Sequence, residues 1–126
     1  MNRRDAREKA FQALFQMDVN DMEPEDAIQH VLDEGDDPFL LGLVHGVKKN
    51  RANVDETITD HMENWTISRL PRVERTILRI AVYEMVYNED IPHEVAINEA
   101  VELAKLFGEE KSGSFVNAVL SRINKQ

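Results

Sequence analysis

Apolar positions along the 126 residues recur at spacings of three and four, with no convincing alternating run of β-branched residues, so the pattern predicts an all-α chain. From Arg4 to Asp18 the stripe Ala6, Ala10, Ala13, Leu14 and Met17, bordered by Phe11, marks the buried face of a first helix. Pro24 suits the first turn of a second helix with the apolar face Ala27, Ile28, Val31 and Leu32, and Gly35 is expected to cap its end. Asp37 and Pro38 repeat the start signal. Beyond them, Leu40, Leu41, Val44 and Val47, then Val54, Ile58, Met62 and Trp65, predict two helices divided near Asn50. Gly42 and Gly46 are expected to be close-packing positions within the first of these.

Pro71 opens a helix to about Asn88 whose apolar residues wrap most of its circumference, as in a central buried helix. Ile91 and Pro92 close it. A helix from Ala96 to Phe107 follows, with Ala96, Ala100 and Ala104 at a spacing that admits a close neighbour. The last helix, capped by Ser112 or Ser114, carries Phe115, Val116, Val119, Leu120 and Ile123. The expected architecture is a single compact domain, 1–126, of six or seven helices. A chain of this length buries roughly two thirds of its unfolded surface without needing cross-links.

The charge pattern modifies this picture. Fifteen Lys and Arg stand against 24 Asp and Glu, a net charge of -9. The nine acids between Ala10 and Val47, a stretch with no Lys or Arg, carry the whole excess. Elsewhere basic residues gather at Arg3, Arg4, Arg7 and Lys9, at four arginines from Arg69 to Arg79, and at Lys111, Arg122 and Lys125. Folding that brings Arg3, Arg4, Arg7, Arg72, Arg75 and Lys111 onto one surface would make a single polarised face. Phe15, at the edge of its stripe, and Phe115, in a first turn near Lys111, are the aromatic residues expected to be partly exposed; Phe11, Phe107 and Trp65 are expected in the core. Arginines that hold phosphates beside a ring that stacks an unpaired base suit single-stranded RNA.

Other chemistry is poorly represented. The absence of cysteine removes disulfides, thiolate metal sites and cysteine nucleophiles, and fits a cytoplasmic location. Neither a leader peptide nor a membrane span is expected. His30, His45, His61 and His93 fall in no metal-binding motif, and the acidic run lacks the spacing of a calcium loop. Phosphate-cradling glycine motifs and the nucleophile elbow are missing, so no enzyme, no metal and no cofactor are expected. Glu84 lies about 20° from both Val73 and Ile77 on the helical wheel, so a carboxylate points into the core and needs a partner. Arg7, on the apolar side of its helix, is the candidate; it is then a structural ion-pair partner rather than an RNA ligand.

The segments RRDAREKAFQALFQMD (3–18), VERTILRIAVYEM (73–85) and IPHEVAINEAVELAKLFGEEKSGSFVNAVLSRI (91–123) resemble the NusB family of bacterial transcription antitermination factors, end to end. AINEAVELAKLFG followed by FVNAVL is the most specific part. A related helical domain fronts some ribosomal RNA methyltransferases; the free-standing form is expected here. The resemblance implies a non-enzymatic factor that pairs with the ribosomal protein NusE and binds boxA RNA of nascent transcripts, chiefly ribosomal RNA. The pair acts within the RNA polymerase antitermination complex to resist termination. It implies RNA contacts at Arg3, Arg4, Arg7, Arg72, Arg75, Lys111 and Phe115, and NusE contacts at Phe15 and Glu74. Asp5 interrupts the N-terminal basic run, from which weaker intrinsic RNA affinity is expected. A helical protein-binding adaptor without RNA contact is the alternative, and the acidic and apolar faces are compatible with a homodimer.

Overall fold

Asn2 starts the first helix, its side-chain oxygen accepting a hydrogen bond from Asp5 N at 2.8 Å. This helix, α1 (Arg3–Asn20), ends at Asp21 with φ 54°, a left-handed conformation that a short polar side chain tolerates. The computed structural model describes residues 1–63 and 65–125. Among them are seven α-helices, one turn of 3-10 helix and no strand, in two compact units, Met1–Lys49 and Asn50–Gln126.

In the first unit α1 packs on α2 (Pro24–Val31) and α3 (Pro38–Lys49). Ala6, Ala10, Phe11, Ala13 and Leu14 form the buried stripe of α1, against Ala27 and Ile28 of α2 and Leu40, Leu43, Val44 and Val47 of α3. Pro24 occupies the first turn of α2 as expected, but the helix stops at Val31 because Leu32 turns extended. Gly35 therefore caps nothing; at φ +74° it serves the bend between α2 and α3. Gly42 is also not a close-packing position, since a Cβ placed there would meet nothing within 4 Å.

The break near Asn50 is present: α3 ends at Lys49 and α4 (Arg51–Asp60) begins the second unit. The expectation for Trp65 fails. Helix α4 ends at Asp60, so the apolar period no longer governs Trp65, which is 53% exposed. A 3-10 turn, Ile67–Arg69, leads to α5 (Arg72–Tyr87), then come α6 (His93–Phe107) and α7 (Ser112–Asn124). Helix α5 is the central one of its unit, packing on α4, α6 and α7 and burying every residue from Thr76 to Val82. Ala96, Ala100 and Ala104 are all buried, and α6 lies against both α5 and α7.

Two side chains assigned to caps do other work. Ser112 Oγ accepts from Glu109 N at 2.8 Å, and Ser114 Oγ donates to Lys111 O at 3.1 Å, so both fasten the turn before α7. Gly108 is required there: a Cβ would lie 2.6 Å from Ser112 Oγ and 2.8 Å from Ala104 O. His93 is structural, its Nε2 donating to Met85 O at 3.0 Å while Nδ1 faces the Asn124 amide oxygen at 2.7 Å.

Candidate nucleic-acid and partner interface

The predicted site residues fall in both units. On α1, Arg3 and Arg4 are exposed, whereas Arg7 is only 4% exposed. Arg7 thus points inward, as its wheel position requires, and Glu84 in the second unit is likewise buried. A buried guanidinium is poorly placed to meet a phosphate. The cations of Arg3 and Arg7 both lie over the ring of Phe39, each 5.0 Å from its centroid. Phe39 escapes a reading of apolar periods because it borders the α3 stripe; the only signal for it is the Asp37–Pro38 start, which places the next residue in a first turn. Phe15 is half-buried, its ring 5.7 Å from that of Phe11. Asp5 lies about 160° around α1 from Arg3 and Arg7. With Glu8, Lys9 and Gln12 it lines a shallow cleft of about 380 Å³. The interruption of the basic run in sequence is therefore no interruption of the Arg3–Arg7 face.

In the second unit the four arginines of 69–79 separate by environment. Arg72 is exposed, and Arg75 is half-buried with Nη1 donating to Ser68 O at 3.4 Å. Arg79 is lost to the surface: Nε and Nη2 donate to the two carboxylate oxygens of Asp55 at 2.8 and 3.0 Å. Lys111 stands exposed at the start of α7 and Phe115 is half-buried one turn later. Glu74, in the first turn of α5, is half-buried. Burial pushes its carboxyl above the ordinary value, its own backbone N–H opposes this, and the Glu109 carboxylate adds to the rise. Glu109 is the residue whose N–H is held by Ser112. The turn before α7 thus sets an acid beside Glu74 and the exposed base Lys111 two residues later. Such mixed charge suits a surface that meets both phosphates and the cations of a protein.

Among the described residues no group of three or more His, Cys, Asp or Glu is arranged to hold a metal ion. No helix among them is long and apolar enough to cross a membrane.

The pattern of the NusB family matches residues 4–125. The chain belongs to the NusB family. A transcription antitermination protein NusB from Bacillus velezensis is 56% identical over 124 residues, which cover 98% of this chain and 95% of that relative. NusB of T. maritima superposes with a TM-score of 0.90 at 40% identity, covering 100% of this chain and 92% of the other. A solved complex of the antitermination factors NusB and NusE with dsRNA contains a chain of TM-score 0.88 and 29% identity, the match covering 98% and 96% of the two chains. In this NusB-family chain Arg4, Arg7, the arginines of α5 and the turn before α7 fall inside the matched span, which begins one residue after Arg3.

Proposed function

We propose that this chain is a transcription antitermination factor that, paired with NusE, binds boxA RNA of nascent transcripts, chiefly ribosomal RNA, and helps RNA polymerase resist termination. It acts as one RNA-binding domain over residues 1–126, in the cytoplasm and without catalysing a reaction. The observation that carries the reading is the end-to-end likeness to a chain solved together with NusE and RNA. Exposed basic side chains at Arg3, Arg4, Arg72 and Lys111, in a chain of net charge -9, support it.

Arg3, Arg4, Arg72, Arg75 and Lys111 serve as phosphate ligands, and Phe115 stacks an unpaired base. Arg7, buried, supports Arg3 at the ring of Phe39 that the two share. Phe15 and Glu74 face NusE, where a carboxylate that cannot favour phosphate can pair with a partner cation. The test is fluorescence anisotropy of labelled boxA RNA with NusE present, over a salt series. About three to five phosphate contacts predict a log–log slope of about -2 to -3.5. A flat salt response overturns the reading, and NusE association without any RNA binding leaves the protein-binding adaptor in its place.

A further inference from the structure

Phe39 has a placement that the helical periods do not anticipate. Asp37 Oδ1 accepts from Leu40 N at 3.0 Å and so sets the start of α3, with Pro38 first and Phe39 next in the opening turn. Two guanidinium groups then share its single ring, those of Arg3 and Arg7 at 5.0 Å each. The two arginines stand one turn apart on α1, about 40° apart around its axis. They differ in environment, Arg3 being exposed and Arg7 buried.

We propose that Phe39 is a positioning residue for the RNA site: its ring, seated against the buried Arg7, holds the exposed Arg3 guanidinium ready for a phosphate. The inference rests on the reading of Arg3 as a phosphate ligand. An unrestrained arginine surrenders its rotamer freedom when it binds, whereas a guanidinium already resting on a ring has surrendered much of that freedom beforehand. Two cations at one ring also repel each other, which the negative faces of the ring offset in part. A phosphate oxygen beside the exposed Arg3 supplies that guanidinium with counter-charge. A ring engaged by two guanidiniums is poorly available for base stacking. Its effect on RNA should therefore pass through Arg3.

The experiment measures the affinity of labelled boxA RNA, with saturating NusE, for the full chain and for Phe39→Leu, Phe39→Tyr, Arg3→Ala and the double variant Phe39→Leu with Arg3→Ala. Phe39→Leu keeps an apolar side chain but removes the quadrupole, and should weaken binding about three- to tenfold. Phe39→Tyr should restore it. In the Arg3→Ala background, Phe39→Leu should change affinity less than about twofold, as two residues acting through one contact require. Equal losses in both backgrounds would show that the ring acts on RNA directly or through the fold, and the proposal would be wrong. Unchanged affinity in Phe39→Leu alongside a loss in Arg3→Ala also overturns it, while leaving the RNA reading intact. If the unaltered chain with NusE binds no RNA, the RNA reading itself fails. Should Phe39→Leu not fold, the Arg3 side-chain resonances of the unaltered chain decide the geometry: they should show an upfield ring-current shift, and its absence overturns the proposal.

Discussion

The ion pair between Arg79 and Asp55 offers the sharpest test of how environment divides the arginines of α5. Its geometry is bidentate at 2.8 and 3.0 Å, with the Arg79 side chain 7% and the Asp55 side chain 21% exposed. Asp55→Ala leaves a guanidinium buried without its carboxylate, a change that costs about 3–5 kcal/mol. The reverse change is milder. Arg79→Met keeps much of the side-chain volume and strands a carboxylate that has partial access to water and a second cation, Arg51 Nε, 3.7 Å away. About 1–2 kcal/mol is expected for it, the partial hydration of Asp55 relieving the penalty. Arg51 is itself 54% exposed, so Arg51→Ala should cost no more than about 0.5 kcal/mol. Urea unfolding gives these values directly. In thermal melts a chain of this size loses about 3–5 °C per kcal/mol, so Asp55→Ala should melt roughly 10–25 °C lower. The double variant should be less damaging than the sum of the two single changes. Under conditions where it remains folded, Arg79→Met should bind RNA with unchanged affinity and salt slope. A cost below about 1 kcal/mol for Asp55→Ala, or a salt slope shallower by about 0.7 in Arg79→Met, would refute the assignment of Arg79 to the core.

Glu74 carries a pH signature: because its folded pKa is raised, its contribution is fully present below the unfolded value and is lost as pH rises through the folded one. Glu74→Gln should therefore gain stability relative to the parent between about pH 4 and pH 7 in paired denaturation curves, and no change in that difference would contradict the cause given. The same position is assigned to the partner, so Glu74→Ala should weaken NusE association in a direct titration and impair RNA binding mainly when NusE is present. Phe115 is half-buried, so Phe115→Ala should lower stability by about 1–2 kcal/mol and RNA affinity by about 1–3 kcal/mol; a loss confined to stability would make it a core residue. Gly42→Ala should stabilise by about 0.5–1 kcal/mol in chemical denaturation, because the helix gains a better former and the Cβ meets open space. Gly108→Ala should destabilise, since its Cβ would collide with the Ala104 carbonyl and Ser112 Oγ.

The helices are legible in the linear chain because their causes are local. Pro24, Asp37 with Pro38, and Pro71 each announce a helix start, and the three- and four-residue apolar spacing identifies the faces that α1, α3, α5 and α7 bury; Pro92, expected only to close α5, also opens α6, which starts at His93 rather than Ala96. The wheel is sufficient to send Arg7 and Glu84 inward and to leave Phe15 at an edge, the first-turn position of Phe115 near Lys111 is sufficient to expect its partial exposure, and the motifs of the second half are sufficient to point to the family. Other features have causes that are not local. Trp65 inherits an apolar period that ends with α4, and Gly35 belongs to a bend because Leu32 leaves the helix first. The functional residues depend still more on their neighbours. Arg72, Arg75 and Arg79 occupy nearly one direction on the wheel, yet Asp55 on another helix buries one of them while Arg72 remains exposed. The wheel distinguishes the inward Arg7 from Arg3, yet nothing local in the sequence says that Phe39 of another helix joins their guanidiniums. Periodicity gives the direction of a side chain from its own helix axis, whereas the role of a charge depends on which groups from other elements surround it and how much water they exclude.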